Sequence, residues 1–573
     1  MMQCVAVFLG LFLSGGLCET NLLHNADFES SSFSHNWKCH HCQLTSSSDS
    51  HTGQHSVMIS HRSKSSGPSQ QVNVTPGTRY FFQAHVKLLT TQPGYLYHGM
   101  DVKVSRTDAQ GHHINDILSR SPYVQLGTGW HAIGGDYLVP TDTKSAEIFI
   151  DVEPPQVDYL MDTAILTEVP QLTNFRAEAD DRIEKIRKAN VTVRLDKNGQ
   201  SADQLDVELV QTYSEFITGS AVDSKLFLDP TLTAYRDYLY DNFEWAVPDG
   251  FQWHQSESRE GHPDYSKVNK TVDILLAHGK KIEGHNLFWD NPKHIPNWLK
   301  HKSAADIRAT MERRTQEVIG GFKGRVLHWD INNENQHNDF YEQHLQDPNI
   351  TMWMFQKAHA ADPNTKLFLN DFGIVSKNHH YTLSYVDQAR TFLAAGVPVY
   401  GVGIQSHFEE DMDLAAVSFR LDQVAKVGLP IMIAALNVNQ PDVTKKARMY
   451  ESLYRLYFSH PAVEGITQWH FWDRGIKKPN ASLTSGPNVT PNAAGKIVRQ
   501  LVWGDWRTNQ TLPISRDHDV NIRAFKGEYK LRVKHHGKVI REEDFTLGQA
   551  GVALTVSLSG SGTQPIVDHI LVG

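Results

Sequence analysis

From residue 20 to about 168 the chain alternates polar and apolar positions, with turn residues every ten or so. Gln71-Val72-Asn73-Val74-Thr75-Pro76-Gly77, Tyr80 to Leu88 and Ala146 to Val152 are examples. Successive strand residues point to opposite faces, so this alternation gives each segment one core face, and many short strands at such spacing predict a β-sandwich. Residues 174–188 are charged, free of Pro and Gly and rich in helix formers, which predicts a connecting helix. Beyond it the rhythm changes: apolar runs recur every 30 to 45 residues, separated by amphipathic helical stretches. They are Lys281–Trp289, Arg325–Asn335, Lys366–Asp371, Pro398–Ile404, Leu429–Leu436 and Val463–Trp469. Strands alternating with helices over this length predict an α/β fold, a (β/α)8 barrel. A doubly wound sheet is the rival, but the glycine-rich phosphate loop of its nucleotide-binding members is missing. From about residue 513 the alternation stops, and Tyr529–Lys534 and Val552–Leu558 read as strands of a small β extension.

Composition sets the compartment. The first 13 residues are an apolar run of signal-peptide length without a basic start, and small residues place cleavage after Cys18. No later stretch is long and apolar enough to span a membrane, so a secreted, extracellular chain is expected. A net charge of -9 over 573 residues argues against nucleic acid or an anionic membrane as partner. Two of the four cysteines fall in the leader; Cys39 and Cys42 remain, and in an oxidising compartment they are expected to pair. A metal site built with His40 and His41 is the alternative, but no second ligand pair follows. Seven Asn-x-Ser/Thr sequons, at Asn73, Asn190, Asn269, Asn349, Asn480, Asn488 and Asn509, fit a secreted glycoprotein. The expected layout is a signal at 1–18, a sandwich at 19–168, a linker helix at 169–189, the barrel at 190–512 and the β extension at 513–573.

Successive apolar runs end in side chains of one kind: His285 and Trp289, Asn333 and Glu334, Asn370 and Asp371, Gln405 and His407, Trp469 and Asp473. At the C-terminal mouth of a barrel these would form a polar cleft with aromatic walls. Such a cleft suits a sugar chain, whose hydroxyls take hydrogen bonds and whose ring faces take stacking.

Residues 190 to 510 resemble glycoside hydrolase family 10, the endo-1,4-β-xylanases, in the form found in plants and animals. The motifs that carry the likeness are Gly284-His285-Asn286-Leu287-Phe288-Trp289, Trp329-Asp330-Ile331-Asn332-Asn333-Glu334, Leu367-Phe368-Leu369-Asn370-Asp371, Gly403-Ile404-Gln405-Ser406-His407 and Thr490-Pro491-Asn492-Ala493-Ala494-Gly495. The resemblance implies a retaining hydrolase with two carboxyl groups about 5 Å apart. Glu334 matches the proton donor, Asn333 the residue contacting the sugar beside it, and His285, Trp289, Gln405, His407 and Trp469 the surrounding subsite. The nucleophile is missing. The family's Ile-Thr-Glu-Leu-Asp motif stands here as Ile433-Ala434-Ala435-Leu436-Asn437, which puts Ala435 at the nucleophile position. Asp249 and Gln252 stand where Asn and Lys are usual, and Phe372 and Gly373 where Tyr and Asn are usual. Glu409, Glu410 and Asp411 read as the acidic start of the next helix rather than as substitutes, and Asp442 as a loop residue.

The N-terminal segment resembles carbohydrate-binding modules attached to polysaccharide hydrolases, through Asn21 to Glu29, Trp37, Gly53-Gln54-His55-Ser56, Arg62 and Pro76 to Tyr80. Trp37, Tyr95, Tyr97, Tyr123 and Trp130 are its sugar-stacking candidates. The expected function is a secreted protein that binds a β-1,4-linked polysaccharide such as xylan, with catalysis lost or strongly impaired. An active endo-β-1,4-glycanase with Glu334 as proton donor and a structural matrix component are the alternatives. No cofactor and no metal are assigned.

Overall fold

The computed structural model describes residues 20–573 apart from 31, 33–35, 64–65, 197–204, 377–379, 410, 515–518 and 560–565. The signal segment and Glu410 lie outside the described residues.

The alternating N-terminal segment forms two five-stranded antiparallel sheets packed face to face. One has the order Lys38–Cys39, Pro68–Val72, Thr143–Glu153, His98–Asp108, His113–Val124. The other runs Gln43–Ser47, Ser56–Ser60, Tyr159–Glu168, Arg79–Leu88, His131–Leu138. Their inward residues, among them Phe82, Val102, Ile150, Tyr159 and Met161, make one core. Cys39 and Cys42 are joined in a disulfide. The connecting helix spans Phe175–Ile186. Just beyond it the Arg187 guanidinium donates to the carbonyls of Phe458, His460 and Val463, anchoring the connection to the barrel.

The barrel begins later than residue 190. Lys188–Asp196 and Leu205–Ser214 pair instead with strands from Asn509 onward, making a second sandwich of two four-stranded sheets. The reason is their pattern: Val191 and Val193, then Leu205, Val207 and Leu209, are buried at every second position. Alternation suits a sheet with one wet face, whereas parallel barrel strands are covered on both faces.

Eight parallel strands close the barrel. They are β1 (Ile217–Val222), β2 (Trp245–Pro248), β3 (Lys281–Gly284, continued by Phe288–Trp289), β4 (His328–Asn333), β5 (Lys366–Asp371), β6 (Gly401–Phe408), β7 (Ile431–Val438) and β8 (Val463–Gln468). β8 pairs with both β7 and β1, and β3 with both β2 and β4, so the sheet has no edge. Every residue of β1, β2, β4 and β7 is buried.

The N-terminal module is docked on the barrel through charge as well as packing. Asp136 of the module accepts from Arg79 at 2.6 Å and from Arg420 of a barrel helix (Leu414–Ala425) at 2.7 Å, and all three side chains are at least nine-tenths buried. Arg420 also donates to the carbonyls of Val375 and Ser376, in the loop that follows β5. His131 meets Asp387 at 2.7 Å, and Phe81 meets Phe419 edge to face at 5.1 Å. Removing one member of a buried charge cluster strands the others, at a cost of about 3–5 kcal/mol. Asp136→Ala is therefore expected to destabilise the docked protein by roughly that amount, measured by denaturant unfolding, whereas Asp142→Ala, an exposed partner of Arg106, should change it by less than about 1 kcal/mol.

Candidate active site

The site is built at the C-terminal ends of the barrel strands, where backbone geometry turns side chains into the mouth. β4 carries its apolar residues into the core and ends at Asn333; Glu334 follows with φ +61°, a left-handed conformation uncommon for a residue with a side chain. Its amide donates to Asn370 O at 2.9 Å, which fixes the turn. The carboxylate accepts from Trp289 Nε1 at 2.9 Å and Gln405 Nε2 at 3.3 Å. Burial raises the Glu334 pKa above the ordinary glutamate value and the Asp371 charge adds to it, while the two donors oppose both. A raised carboxyl pKa favours the protonated form, the form that can give a proton. Asn333 is buried, and its Nδ2 has no partner among the described residues, so one donor beside Glu334 is free for a ligand.

Around this pair stand the other expected residues. His285 Nδ1 is 2.7 Å from Asp330, which also accepts from Asn370 Nδ2 at 3.0 Å. Trp469 meets His285 edge to face at 5.4 Å, and Trp289 stacks on His294 at 3.6 Å. A cavity of about 750 Å³ opens over them, lined by His285, Trp289, His407 and Trp469 and also by His254, His294, His470, Asp249, Gln252 and Lys477. Glu334, Asn333, Gln405 and Ala435 are not on its wall; Glu334 communicates with it through Trp289. His254, His294, His470 and Lys477 are the lining residues that the sequence reading does not single out. They sit on loops or on helical turns of three or four residues, too short to show a period, and their cue is their place after the strands β2, β3 and β8.

Ala435 lies on β7, 3% exposed, directly across from Gln405 of β6. A carboxylate there would adjoin the group that already touches Glu334, but the side chain is a methyl. The neighbouring acidic residues are committed elsewhere. Glu409 does not begin a helix: it lines the cavity, paired with Lys478 and accepting from Asn439 at 3.0 Å, and the helix starts later, capped by Asp413. Asp411 pairs with Lys445. Asp442 ends the loop before Val443–Ser459 and caps that helix, accepting from Lys445 N. Among the described residues no cluster of three or more His, Cys, Asp or Glu could hold a metal, and no helix is long and apolar enough to cross a membrane.

In the module the candidates divide. Trp37 is 2% exposed, packs on Phe28 and donates Nε1 to His24 O and Asn25 O, so it is a core residue and offers no face to a sugar. Tyr97 and Tyr123 lie on the seam with the barrel, Tyr97 donating to Asp339. Tyr95 is 54% exposed and Trp130 half-buried beside His51. Six sequon asparagines are exposed, and Asn269 is half-buried, accepting from Arg325 at 2.8 Å.

The chain sets a closed parallel barrel, with Glu334 and Asn333 side by side at its mouth, behind a β-sandwich. Residues 208–490 match glycosyl hydrolase family 10, and residues 20–156 match a carbohydrate binding domain. The chain thus joins a family 10 glycosyl hydrolase domain to an N-terminal carbohydrate-binding module. It is 31% identical over 363 residues to the anti-sigma-I factor RsgI6 of Acetivibrio thermocellus, spanning 63% of this chain and 47% of that protein. It is 24% identical over 444 residues to endo-1,4-beta-xylanase 3 of Arabidopsis thaliana, spanning 76% and 58%. The chain thus spans about half the length of the curated relatives it matches. Among solved structures, the CBM22-1–GH10 modules of the Clostridium thermocellum endo-1,4-beta-D-xylanase 10B, complexed with xylohexaose, align at TM-score 0.44 and 15% identity over 82% of this chain and 95% of that one.

Burial pushes His407 and His294 down to about 4 from the usual 6.5. The unfolded chain therefore binds protons that the folded one refuses, and stability falls as pH drops from 6.5 toward 4. Replacing His407 with Gln is expected to flatten that slope, measured by thermal unfolding across the window; an unchanged slope would place the proton uptake elsewhere.

Proposed function

We propose that this protein is a secreted glycan-binding protein whose family 10 barrel holds a β-1,4-linked polysaccharide such as xylan and hydrolyses it poorly or not at all. The observation that carries this reading is Ala435 on β7, opposite Gln405, at the position matching the family's nucleophile. Retaining hydrolysis needs one carboxyl to protonate the departing oxygen and a second to attack the anomeric carbon. Glu334, with its raised pKa, supports the first role. A methyl group can neither form the glycosyl intermediate nor stabilise an oxocarbenium ion. Protonation by Glu334 with water attacking from the Ala435 side leaves the attack without a base, so that route is slow and inverts configuration.

The binding half of the machinery supports the rest of the reading. His285, Trp289, His407 and Trp469 line the cavity, and Asn333 Nδ2, beside Glu334, has no partner among the described residues. The test compares wild type with Ala435→Glu on xylan, alongside xylohexaose binding by calorimetry. Wild type is expected to bind without releasing reducing sugar, and the variant to gain hydrolysis that retains configuration, because Ala435→Glu restores the attacking carboxylate. Rapid hydrolysis by wild type with retention of configuration would overturn the proposal.

A further inference from the structure

A second cavity, of about 640 Å³, lies on the seam between the module and the barrel, apart from the sugar cleft. Tyr97 and Tyr123 of the module stand on one side, edge to face at 4.6 Å, and Trp353 and Phe392 of the barrel helices Ile350–Ala361 and Thr382–Ala394 on the other. Two polar atoms of its wall, Ser121 Oγ and Gln388 Oε1, are buried with no hydrogen-bond partner among the described residues. Docked protein surfaces normally pair such atoms or exclude them. Aromatic faces with unpaired polar atoms between them are instead what a saccharide needs: stacking for its ring faces and partners for its hydroxyls.

The chain carries an attachment point on that wall. Asn349, of the sequon Asn349-Ile350-Thr351, lines the cavity, is exposed, and makes no side-chain capping bond to the helix it precedes. We propose that an N-linked glycan on Asn349 occupies this seam, its first sugars seated between the aromatic residues of the two domains and joining them. The reading rests on the chain being secreted. In the linkage step the Asn349 amide nitrogen loses a proton and bonds the anomeric carbon of N-acetylglucosamine, while the lipid pyrophosphate of the donor leaves. In the folded protein Thr351 Oγ1 is buried, donating to Glu342 at 2.8 Å and accepting from Asn332 at 2.7 Å. The sequon is therefore read before folding, and the seam closes on a sugar already tethered, whose effective concentration at the cavity is high.

The test uses the full chain secreted from a glycosylating host. Glycopeptide mass spectrometry reads occupancy, and peptide N-glycosidase is applied before and after denaturation. The Asn349 glycan is expected to be present and to be released from native protein roughly tenfold or more slowly than those at Asn73 and Asn488, because release requires the seam to open. After denaturation all should be released alike. Asn349→Gln removes no hydrogen bond, so a lowered melting temperature with faster proteolysis between residues 169 and 174 would report the lost sugar. Native release at the same rate as Asn73, or a bare Asn349 in protein glycosylated elsewhere, overturns the proposal alone. Sugar at none of the seven sequons overturns it together with secretion.

Discussion

Asp136 is one carboxylate serving two buried guanidiniums from different domains. Arg79 comes from the module and Arg420 from the barrel; both guanidiniums are buried against this anion, and Arg79 also reaches Asp413 at 3.1 Å. Arg420 reaches further, to the carbonyls of Val375 and Ser376, whose loop contributes Phe372, Gly373 and Ser376 to the cleft. The docking of the module and the shape of one cleft wall therefore share a single charge cluster. A module hung on a loose linker would gather substrate independently; this one is part of the frame.

Within the frame the cleft keeps the geometry of one catalytic partner without the other. Glu334 has its turn fixed by Asn370, its carboxyl held by Trp289 and Gln405, and its pKa raised by burial. Across the mouth, β7 offers Ala435 and Asn437 where the family resemblance expects acids. Loss of negative charge changes the electrostatics as well as the chemistry, since a nearby second carboxylate would have raised Glu334 further.

The sequence displayed most of this in periodicities. The module's alternation and the connecting helix are readable from their periods, and six barrel strands from short apolar runs recurring between amphipathic helical stretches. β1 and β2 were missed for physical reasons. Thr218, Gly219 and Ser220 make β1 look polar although it is buried, and β2 is four residues long and ends in Pro248. Glu334, Asn333 and Ala435 stand out in the sequence because strand ends and motifs mark their positions. Trp37 was misread because an aromatic in a sandwich carries no mark of which face it occupies. Tyr97 and Tyr123 were misplaced for the same reason, since a docking surface between domains has no period along either chain.

The second sandwich has a topological consequence. Two of its eight strands precede the barrel in sequence and six follow it. The barrel is thus an insertion within a β-sandwich, with the incoming and outgoing chain clasped in adjacent, hydrogen-bonded strands. Neither end can fray without breaking a sheet that the other end also needs. A fragment cut at residue 513 would keep Lys188–Asp196 and Leu205–Ser214 but strip them of nearly all their partners, leaving two apolar sheet edges bare. The barrel and its clasp therefore form one unit of expression and of unfolding, and the boundary that composition suggests between them is not a place where the molecule divides.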